Sequence, residues 1–255
     1  AECIEIKTRN GRERNERQIM AKEKKTIIFI VEGPSDKNAL ESIFKRIYKR
    51  NKEIDFGFTN GDITSDPKVT LANVEDRIYQ AAQDVIKDKK LKNSDVIQIV
   101  QIFDMDGAYI PDTAIVNGST YALEYSTTNI SCTYPQRAKD RNEKKREILN
   151  YLLNLTRIKT FPYEKYFMSC NLDHALYNEI NLDERLKLEY ADEFYEKFID
   201  KEYLFPAFLE SDVVNGVPDN MGASWRYIKE GLRSLERHTN LHIYFKTHPN
   251  PDGLL

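Results

Sequence analysis

The run Val96-Ile97-Gln98-Ile99-Val100-Gln101-Ile102-Phe103-Asp104-Met105-Asp106-Gly107 is mostly apolar until it stops at two carboxylates and a glycine. An earlier stretch has the same form, with Thr26-Ile27-Ile28-Phe29-Ile30-Val31 followed by Glu32-Gly33. Short apolar runs rich in β-branched residues are typical of buried strands. In a parallel α/β sheet, ligands and metals bind in the crevice outside the carboxyl ends of the strands. The two stretches therefore predict an acidic site at one edge of a parallel sheet.

The pattern around these two runs alternates between strands and amphipathic helices. We expect strands at 26–31, 54–59, 96–103 and 163–169, and helices at about 36–50, 69–90, 137–156 and 223–237, with a last short strand at 241–245. Residues 107–135 lack a regular period and predict a long loop or a hairpin. The alternation predicts an α/β fold, in which a Rossmann-like parallel sheet with right-handed crossovers is flanked by helices.

Three segments differ in composition. Residues 1–24 are dominated by charged side chains and predict an N-terminal extension, either disordered or, for residues 1–19, foreign to the native protein. Residues 25–180 hold both acidic runs and predict the catalytic domain, with 107–135 as an insertion. Residues 181–255 predict a mostly helical C-terminal extension.

Bulk composition narrows the class of protein. The chain has 255 residues, 31% of them charged, and a net charge of only −3, so contacts to nucleic acid would need a local basic stripe. The three cysteines are too few and too scattered for a disulfide framework, which favours a reduced, cytoplasmic compartment. No apolar stretch reaches the roughly 18 residues that a membrane helix needs.

The spacing of the acids indicates metal chemistry. Residues i and i+2 of a strand point to the same side, so Asp104 and Asp106 would face one direction and repel each other unless a cation lies between them. If the two acidic strands are neighbours, Glu32 joins them. Two carboxylates with water and a substrate phosphate are the usual ligands of Mg²⁺, which polarises phosphoryl oxygens and activates water. Glu32 could also act as a general acid or base.

The residues Ile30-Val31-Glu32-Gly33-Pro34-Ser35-Asp36-Lys37 and Phe103-Asp104-Met105-Asp106-Gly107 resemble the two sequence motifs of the Toprim domain. That domain occurs in topoisomerases, bacterial primases, ribonuclease M5-like maturases and OLD-type defence nucleases. The resemblance covers roughly 25–180. It implies a compact Rossmann-like sheet, Glu32 as general acid/base or metal ligand, and Asp104 and Asp106 as ligands of Mg²⁺ or Mn²⁺.

The same resemblance implies a function. The chain has no room for a topoisomerase tyrosine domain or a primase zinc domain. It is similar instead to small stand-alone Toprim proteins that act as effector nucleases of bacterial anti-phage systems. It implies a metal-dependent nuclease that hydrolyses DNA or RNA, tRNA included, with a separate ATPase as a partner and a homodimer as a further expectation.

Further residues are candidates for the same site or for nucleic acid. Asp62 follows the second strand and Asp173 opens a helix after the fourth; each is a candidate metal ligand against the alternative of a turn or helix cap. Candidates for contacts to the nucleic acid are basic residues of three segments: Lys37, Arg137, Arg141, Lys144, Lys145 and Arg226. The helix that carries four of them also holds acids, so a solvated mixed-charge face is the alternative.

Two other functions stay open. The Asp-Met-Asp-Gly run alone also resembles the first motif of haloacid-dehalogenase-type phosphatases, in which Asp104 would be the nucleophile and Asp106 the general acid/base. In that family the motif normally lies on the first strand, and here a βαβα segment precedes it. The remaining alternative is a non-catalytic Toprim-like module, whose aromatic-rich region 186–210 would bind a partner.

Overall fold

The computed structural model describes residues 25–51 and 54–249, and the fold is α/β. The strands are, in chain order, β1 (Lys25–Val31), β2 (Ile54–Asn60), β3 (Val96–Asp104), β4 (Ile115–Asn117), β5 (Glu124–Tyr125), β6 (Ile130–Cys132), β7 (Arg157–Ile158), β8 (Phe161–Ser169) and β9 (His238–Thr239). The helices are α1 (Pro34–Ile47), α2 (Val74–Asp88), α3 (Pro135–Leu153), α4 (Leu172–Tyr177), α5 (Lys187–Glu196), α6 (Phe205–Phe208), α7 (Met221–Ile228) and α8 (His242–Thr247). The N-terminal extension expected at 1–24 lies outside the described residues.

The central sheet has the order β2-β1-β3-β8-β7, with β9 also paired to β8. Strands β2, β1, β3 and β8 are parallel, whereas β7 and β9 pair antiparallel to β8. Val31 lies opposite Asn60, and Asp104 lies opposite Met168, so these strands end at one edge of the sheet. The prediction of a mostly parallel Rossmann-like sheet is confirmed, with antiparallel strands added along β8.

Each face of the sheet is covered by its own apolar cluster. Alternate residues of a strand point to opposite faces, and β1 follows this rule: Phe29 packs in one cluster and Ile28 in the other, both without exposed surface. Helices α1, α5 and α8 cover the first face, and α2, α3 and α7 cover the second. Because both faces are buried, β1 and β3 read as continuous apolar runs in the sequence.

Residues 181–249 contribute side chains to the two apolar clusters that cover the faces of the central sheet. Tyr244 is fully buried against Phe29 and Tyr166, and Trp225 packs edge-on against Phe103 and Phe167. Strand β9 adds main-chain hydrogen bonds to β8. The C-terminal part is therefore packed on the sheet rather than built around a core of its own.

Several element boundaries differ from the expectation. Helix α2 begins at Val74, because the Asn73 carboxamide bonds to the backbone of Lys68 and Thr70 and holds the preceding residues in turns. Helix α7 ends at Ile228, before Gly231, whose φ is +59°.

The last strand was predicted at the wrong place. Residues 241–245 belong to a turn and to α8, in which a helical backbone lets Leu241, Tyr244 and Phe245 reach the core together. The last strand is β9, at His238–Thr239.

The segment 107–135 forms a small second sheet of order β4-β6-β5. Strands β5 and β6 are an antiparallel hairpin, and β4 runs parallel to β6. A small apolar cluster that includes Ile115, Ile130 and Ala138 holds this sheet against α3. Within the described part of the chain, no helix is both long and apolar enough to cross a membrane.

Candidate functional site

The acidic residues meet where the strand order reverses. The chain passes from β1 outward to β2 and then returns to β3 on the other side of β1, so β1 and β3 form the switch point of the sheet. Ligands of open α/β sheets bind in the crevice outside such a point. Glu32 directly follows β1, and Asp104 is the last residue of β3. Both line a cleft of about 440 Å³, together with Asp36, Asp62, Glu184 and Lys187.

A tight turn after β3 places Asp106 beside Lys145, next to the cleft but not among its lining residues. The φ of Asp106 is +48°, a left-handed conformation that Asp tolerates better than most side chains. Its backbone N–H donates to the Cys170 carbonyl, and its own carbonyl accepts a hydrogen bond from Arg141 at 2.7 Å. The predicted i, i+2 pair on one strand is therefore a strand end followed by a turn, and the turn is held from both sides.

Lys145 of α3 is the cation nearest to these acids. Its Nζ lies 2.6 Å from Asp106 Oδ2 and 3.5 Å from Glu32 Oε1, and its side chain has no exposed surface. Burial alone would lower the pKa of Lys145, but the charges of Asp106 and Glu32 outweigh it and raise that pKa. Burial likewise favours neutral Asp106, yet Lys145 and Arg141 hold its pKa below the usual range. The lysine and Asp106 thus form a charged pair.

The pKa values of Glu32 and Asp104 are raised, in contrast to that of Asp106. Burial, opposed by Lys145 and assisted by the charges of Asp106 and Asp62, raises the pKa of Glu32 to about 7. Burial and repulsion from Asp36 and Glu32 raise the pKa of Asp104 well above its usual range. Both carboxylates keep one fixed partner: Thr64 Oγ1 donates to Glu32 at 2.9 Å, and Leu172 N–H donates to Asp104 at 2.9 Å.

Asp36 is a site residue that the sequence analysis did not select. Its carboxylate accepts a hydrogen bond from Gly33 N–H at 2.7 Å, which caps α1 in the first turn. Its charge also raises the pKa of Asp104, and both acids line the same cleft. The Glu-Gly-x-x-Asp spacing was visible, but a helix-capping aspartate gives the same spacing.

Asp173 and Asp62 lie at the margins of the site. Within the described residues, Asp173 Oδ1 is buried without a hydrogen-bond partner, while Oδ2 lies 3.4 Å from Lys187 Nζ. Burial raises the pKa of Asp173 to about 6. Asp62 is exposed and accepts a hydrogen bond from Ser65 N–H at 2.9 Å, as a turn-capping residue does. It also lines the cleft, and its charge raises the pKa of Glu32, while its role as a metal ligand stays a prediction.

The donor set fits a hard divalent cation. Glu32, Asp104 and Asp36 offer only oxygen ligands, and repulsion among them raises the pKa of Asp104, which a bound cation would relieve. Among the described residues, no three His, Cys, Asp or Glu side chains are already placed around one ion. Mg²⁺ is commonly held by one or two carboxylates with water and substrate phosphates, so two carboxylates such as Glu32 and Asp104 would be enough to hold it. Lys145 engages Asp106 Oδ2, so Asp106 could join them through Oδ1 or by giving up its pairing with Lys145.

The basic residues predicted to contact nucleic acid separate into two groups. Lys145 and Arg141 are turned inward, since Lys145 pairs with the acids and Arg141 donates to the Tyr125 hydroxyl as well as to Asp106. Lys145 therefore contributes its positive charge to the buried acidic site and not to an outer surface that could contact nucleic acid. The others reach the surface: Lys144 donates to the Asp66 carbonyl, Lys37 lies 3.9 Å from Glu41, and Arg137 and Arg226 are exposed.

Trp225, beside Arg226, is only 5% exposed and packs between two core phenylalanines. The sole tryptophan is therefore a core residue, and its burial prevents it from stacking on bases.

Comparison with known proteins gave no relative from which to transfer a role: no protein-family model, no curated protein and no solved structure matches the chain.

Proposed function

We propose that this chain is a metal-dependent nuclease that hydrolyses phosphodiester bonds of DNA or RNA, as the resemblance to Toprim nucleases implies. The observation that carries the proposal is the meeting of Glu32 and Asp104 in one cleft at the β1/β3 switch point, with Asp106 and Lys145 beside them. Carboxylates that face each other with raised pKa values are typical of functional sites, because an ordinary surface would separate them.

Glu32 and Asp104 would hold Mg²⁺ or Mn²⁺, with Asp36 next to them. The ion supplies Lewis-acid polarisation of a phosphoryl oxygen and a water of lowered pKa. The chain's own contribution is to keep the oxygen ligands in place: Thr64 and Leu172 N–H each fix one carboxylate, and α1 is capped through Asp36.

The protonation states suit proton transfer and charge stabilisation. In the metal-free site the pKa of Glu32 is about 7, so Glu32 would serve as the general acid/base if the ion is held by the other carboxylates. Lys145 keeps a positive charge that is buried within the site, so it can stabilise negative charge that develops on a phosphate. A nuclease has use for both groups at one site.

The test is incubation of the purified chain with supercoiled plasmid and with total RNA, with Mg²⁺, with Mn²⁺ and with EDTA. We expect cleavage of at least one polymer that requires the metal and is lost in Glu32→Ala and Asp104→Ala. Asp76→Asn is the matched control, because that aspartate is 68% exposed and its ion pair with Lys159 lies on the surface. Cleavage by Glu32→Ala at the wild-type rate would contradict the proposal.

The phosphatase alternative has less support. It requires an ionised Asp104 as nucleophile and a protonated Asp106 as acid. In the metal-free site the opposite protonation states are favoured: the pKa of Asp104 is raised, which favours its neutral form, and the pKa of Asp106 is lowered, which favours its ionised form. Turnover of p-nitrophenyl phosphate that survives Glu32→Gln but not Asp104→Asn would favour the phosphatase over the nuclease.

The proposed function includes a protein partner, and region 186–210 is the surface on which we expect it to bind. The large aromatic residues of 186–210 mostly pack on one another and on the core, as Phe194, Phe198 and Phe205 do. The apolar side chains left exposed there are Leu186, Leu188, Ile199, Tyr203 and Leu204. They are where we expect an ATPase or a second copy of the chain to bind, consistent with an effector of anti-phage defence that is released or activated by a partner. Co-purification with and without Leu204→Glu tests this expectation, since Leu204 is exposed and does not line the carboxylate cleft.

A further inference from the structure

A second cavity, of about 290 Å³, lies between the small sheet and the first half of α3. Its walls include Tyr121, Leu123, Cys132, Tyr134, Arg137 and Arg141. It shares no lining residue with the carboxylate cleft. The two are connected through Arg141, which lines the cavity and donates to the backbone carbonyl of Asp106 at 2.7 Å.

The aromatic rings at this cavity are left outside the core. Tyr121 is 67% exposed and Tyr134 is 55% exposed, although burying an aromatic ring is among the largest favourable contributions to folding. They meet edge to face, with ring centroids 5.9 Å apart. The hydrogen bond from Thr133 N–H to the Thr120 carbonyl, at 2.7 Å, joins the residues just before them. The pair is thus held in place before any ligand arrives, which reduces the entropic cost of binding.

Arginine side chains lie next to these aromatic rings. The Arg137 guanidinium lies 4.5 Å from the centroid of the Tyr121 ring, and Arg141 lies 5.7 Å from the Tyr125 ring. Exposed aromatic rings beside arginine are the groups on which unpaired bases stack, and a neighbouring guanidinium also attracts the phosphates. A base within a duplex is stacked on its neighbours and cannot enter such a cavity without being turned out of the helix.

Helix α3 carries basic residues both at the cavity and at the acidic site. Arg137, Arg141 and Lys145 follow one another at intervals of four residues, so they lie along one side of the helix. Eight residues of α-helix span about 12 Å. The cavity at Arg137 and the level of Lys145 are therefore about 12 Å apart along the helix axis, a distance within the reach of a short run of nucleotides.

We propose that the Tyr121/Tyr134 cavity binds an unpaired nucleobase of a single-stranded nucleic acid and thereby positions the adjoining backbone at the carboxylate site. The proposal names the substrate class of the nuclease and in that respect rests on the proposed function, while the binding step itself needs no cleavage. Base and phosphate chemistry is shared by single-stranded RNA and single-stranded DNA, so the test must include both.

The experiment is fluorescence anisotropy on the full chain in EDTA, which separates binding from hydrolysis. The probes are labelled RNA and DNA single strands of about 12 nucleotides, within the site sizes of single-strand binders, and the DNA duplex of the same sequence. We expect a single strand to bind more tightly than the duplex, and Tyr121→Ala to weaken that binding about tenfold. Tyr121→Phe keeps the ring and is expected to bind as wild type does.

Leu71→Ala is the control for loss of an exposed apolar side chain, since Leu71 is 46% exposed and lines neither cavity. We expect it to bind like wild type. Tighter binding of either the RNA or the DNA strand supports the proposal and identifies the polymer. Absence of binding, equal binding of duplex and single strand, or wild-type binding by the Tyr121→Ala/Tyr134→Ala double variant would overturn it.

The outcomes distinguish this inference from the nuclease proposal. Tyrosine-dependent binding without metal-dependent cleavage would leave a binding module and refute only the nuclease. Cleavage that depends on Glu32 but proceeds equally well in the double tyrosine variant would refute only the base cavity.

Discussion

Lys145 Nζ lies 2.6 Å from Asp106 Oδ2 in a site where the lysine side chain has no exposed surface at all. The two charges compensate each other, and Glu32 at 3.5 Å adds a second negative group. A buried lysine that lost these partners would have to give up its proton, and the acids that lost the lysine would repel each other without a counter-charge. The stability of the fold and the chemistry of the site therefore depend on the same pair.

Removal of the lysine should destabilise the chain strongly. We expect Lys145→Met to lower the free energy of unfolding by about 3–5 kcal/mol, because breaking one side of a buried pair leaves an uncompensated charge. Urea denaturation followed by circular dichroism measures this. Lys159→Met is the control: its pair with Asp76 is 47% and 68% exposed, and exposed pairs contribute about 1 kcal/mol or less. Equal losses in both variants would contradict the role given to Lys145.

In the absence of metal, Glu32 should make the fold less stable as the pH rises from about 4.5 to about 7. Its pKa is 4.5 for the ordinary group and about 7 in the fold, so the folded state binds a proton that the unfolded state has released. Stability is then lost as the pH rises from about 4.5 to about 7. Relative to Glu32→Gln, the wild type should lose about 2–3 kcal/mol of unfolding free energy between about pH 4 and pH 8, since each pKa unit is worth about 1.4 kcal/mol.

Urea unfolding at several pH values in EDTA measures the difference. Glu143→Gln, a substitution of an exposed glutamate on α3, should run parallel to wild type across the same range. Parallel curves for Glu32→Gln and wild type would show that Glu32 does not carry the raised pKa.

Divalent metal should stabilise the folded chain. An ion that binds only the native state at about 100 times its Kd adds about 2.7 kcal/mol, which corresponds to a rise in Tm of about 5 °C or more for a chain of this size. The rise should be larger at about pH 8 than at about pH 6, because Glu32 and Asp104 must lose their protons to bind. Differential scanning fluorimetry with Mg²⁺ and Mn²⁺ records it. Asp104→Asn should abolish the shift and Asp76→Asn should keep it; a shift retained by Asp104→Asn would place the ion elsewhere.

Trp225 should report on the core and not on nucleic acid. Its ring centroid lies 5.1 Å from that of Phe167 and 6.2 Å from that of Phe103, and it is 5% exposed. We expect Trp225→Ala to cost about 3–5 kcal/mol, as large-to-small changes of buried aromatic residues do. The emission of Trp225 should stay unchanged when an oligonucleotide binds. Strong quenching by the oligonucleotide would show that the ring contacts the ligand.

Gly107 should not tolerate a side chain. Its φ is +66°, and a Cβ there would lie 2.7 Å from Leu235 and 2.9 Å from Ile130. Gly231→Ala is the matched control, because its φ is +59° but nothing lies within 4 Å of the added carbon. Strain in the left-handed region costs about 1 kcal/mol in both variants, and Gly107→Ala should lose a further 1–3 kcal/mol, roughly, from overpacking. Equal unfolding free energies would mean that the neighbours of Gly107 yield without cost.

The local pattern of the sequence determined the central sheet and the positions of its acids. Apolar runs that end in Glu32 and Asp104 predict buried parallel strands, and the carboxyl ends of such strands meet at one edge whatever the connecting helices are. The same pattern failed at 241–245, where a short apolar run fits a strand or a helix equally well and only packing on the sheet selects between them.

Only the tertiary structure decided which charges face each other. In the sequence, Lys145 belongs to a basic helix whose charges are typical of a solvent-exposed face. It lies 113 positions from Glu32, yet the fold buries it against that acid. Asp36 reads as a helix cap, and Tyr121 and Tyr134 as parts of an irregular loop. Periodicity reports which side of an element is apolar, whereas the pairing of distant side chains depends on how α3 and the small sheet pack on the strand ends, and no local pattern encodes that.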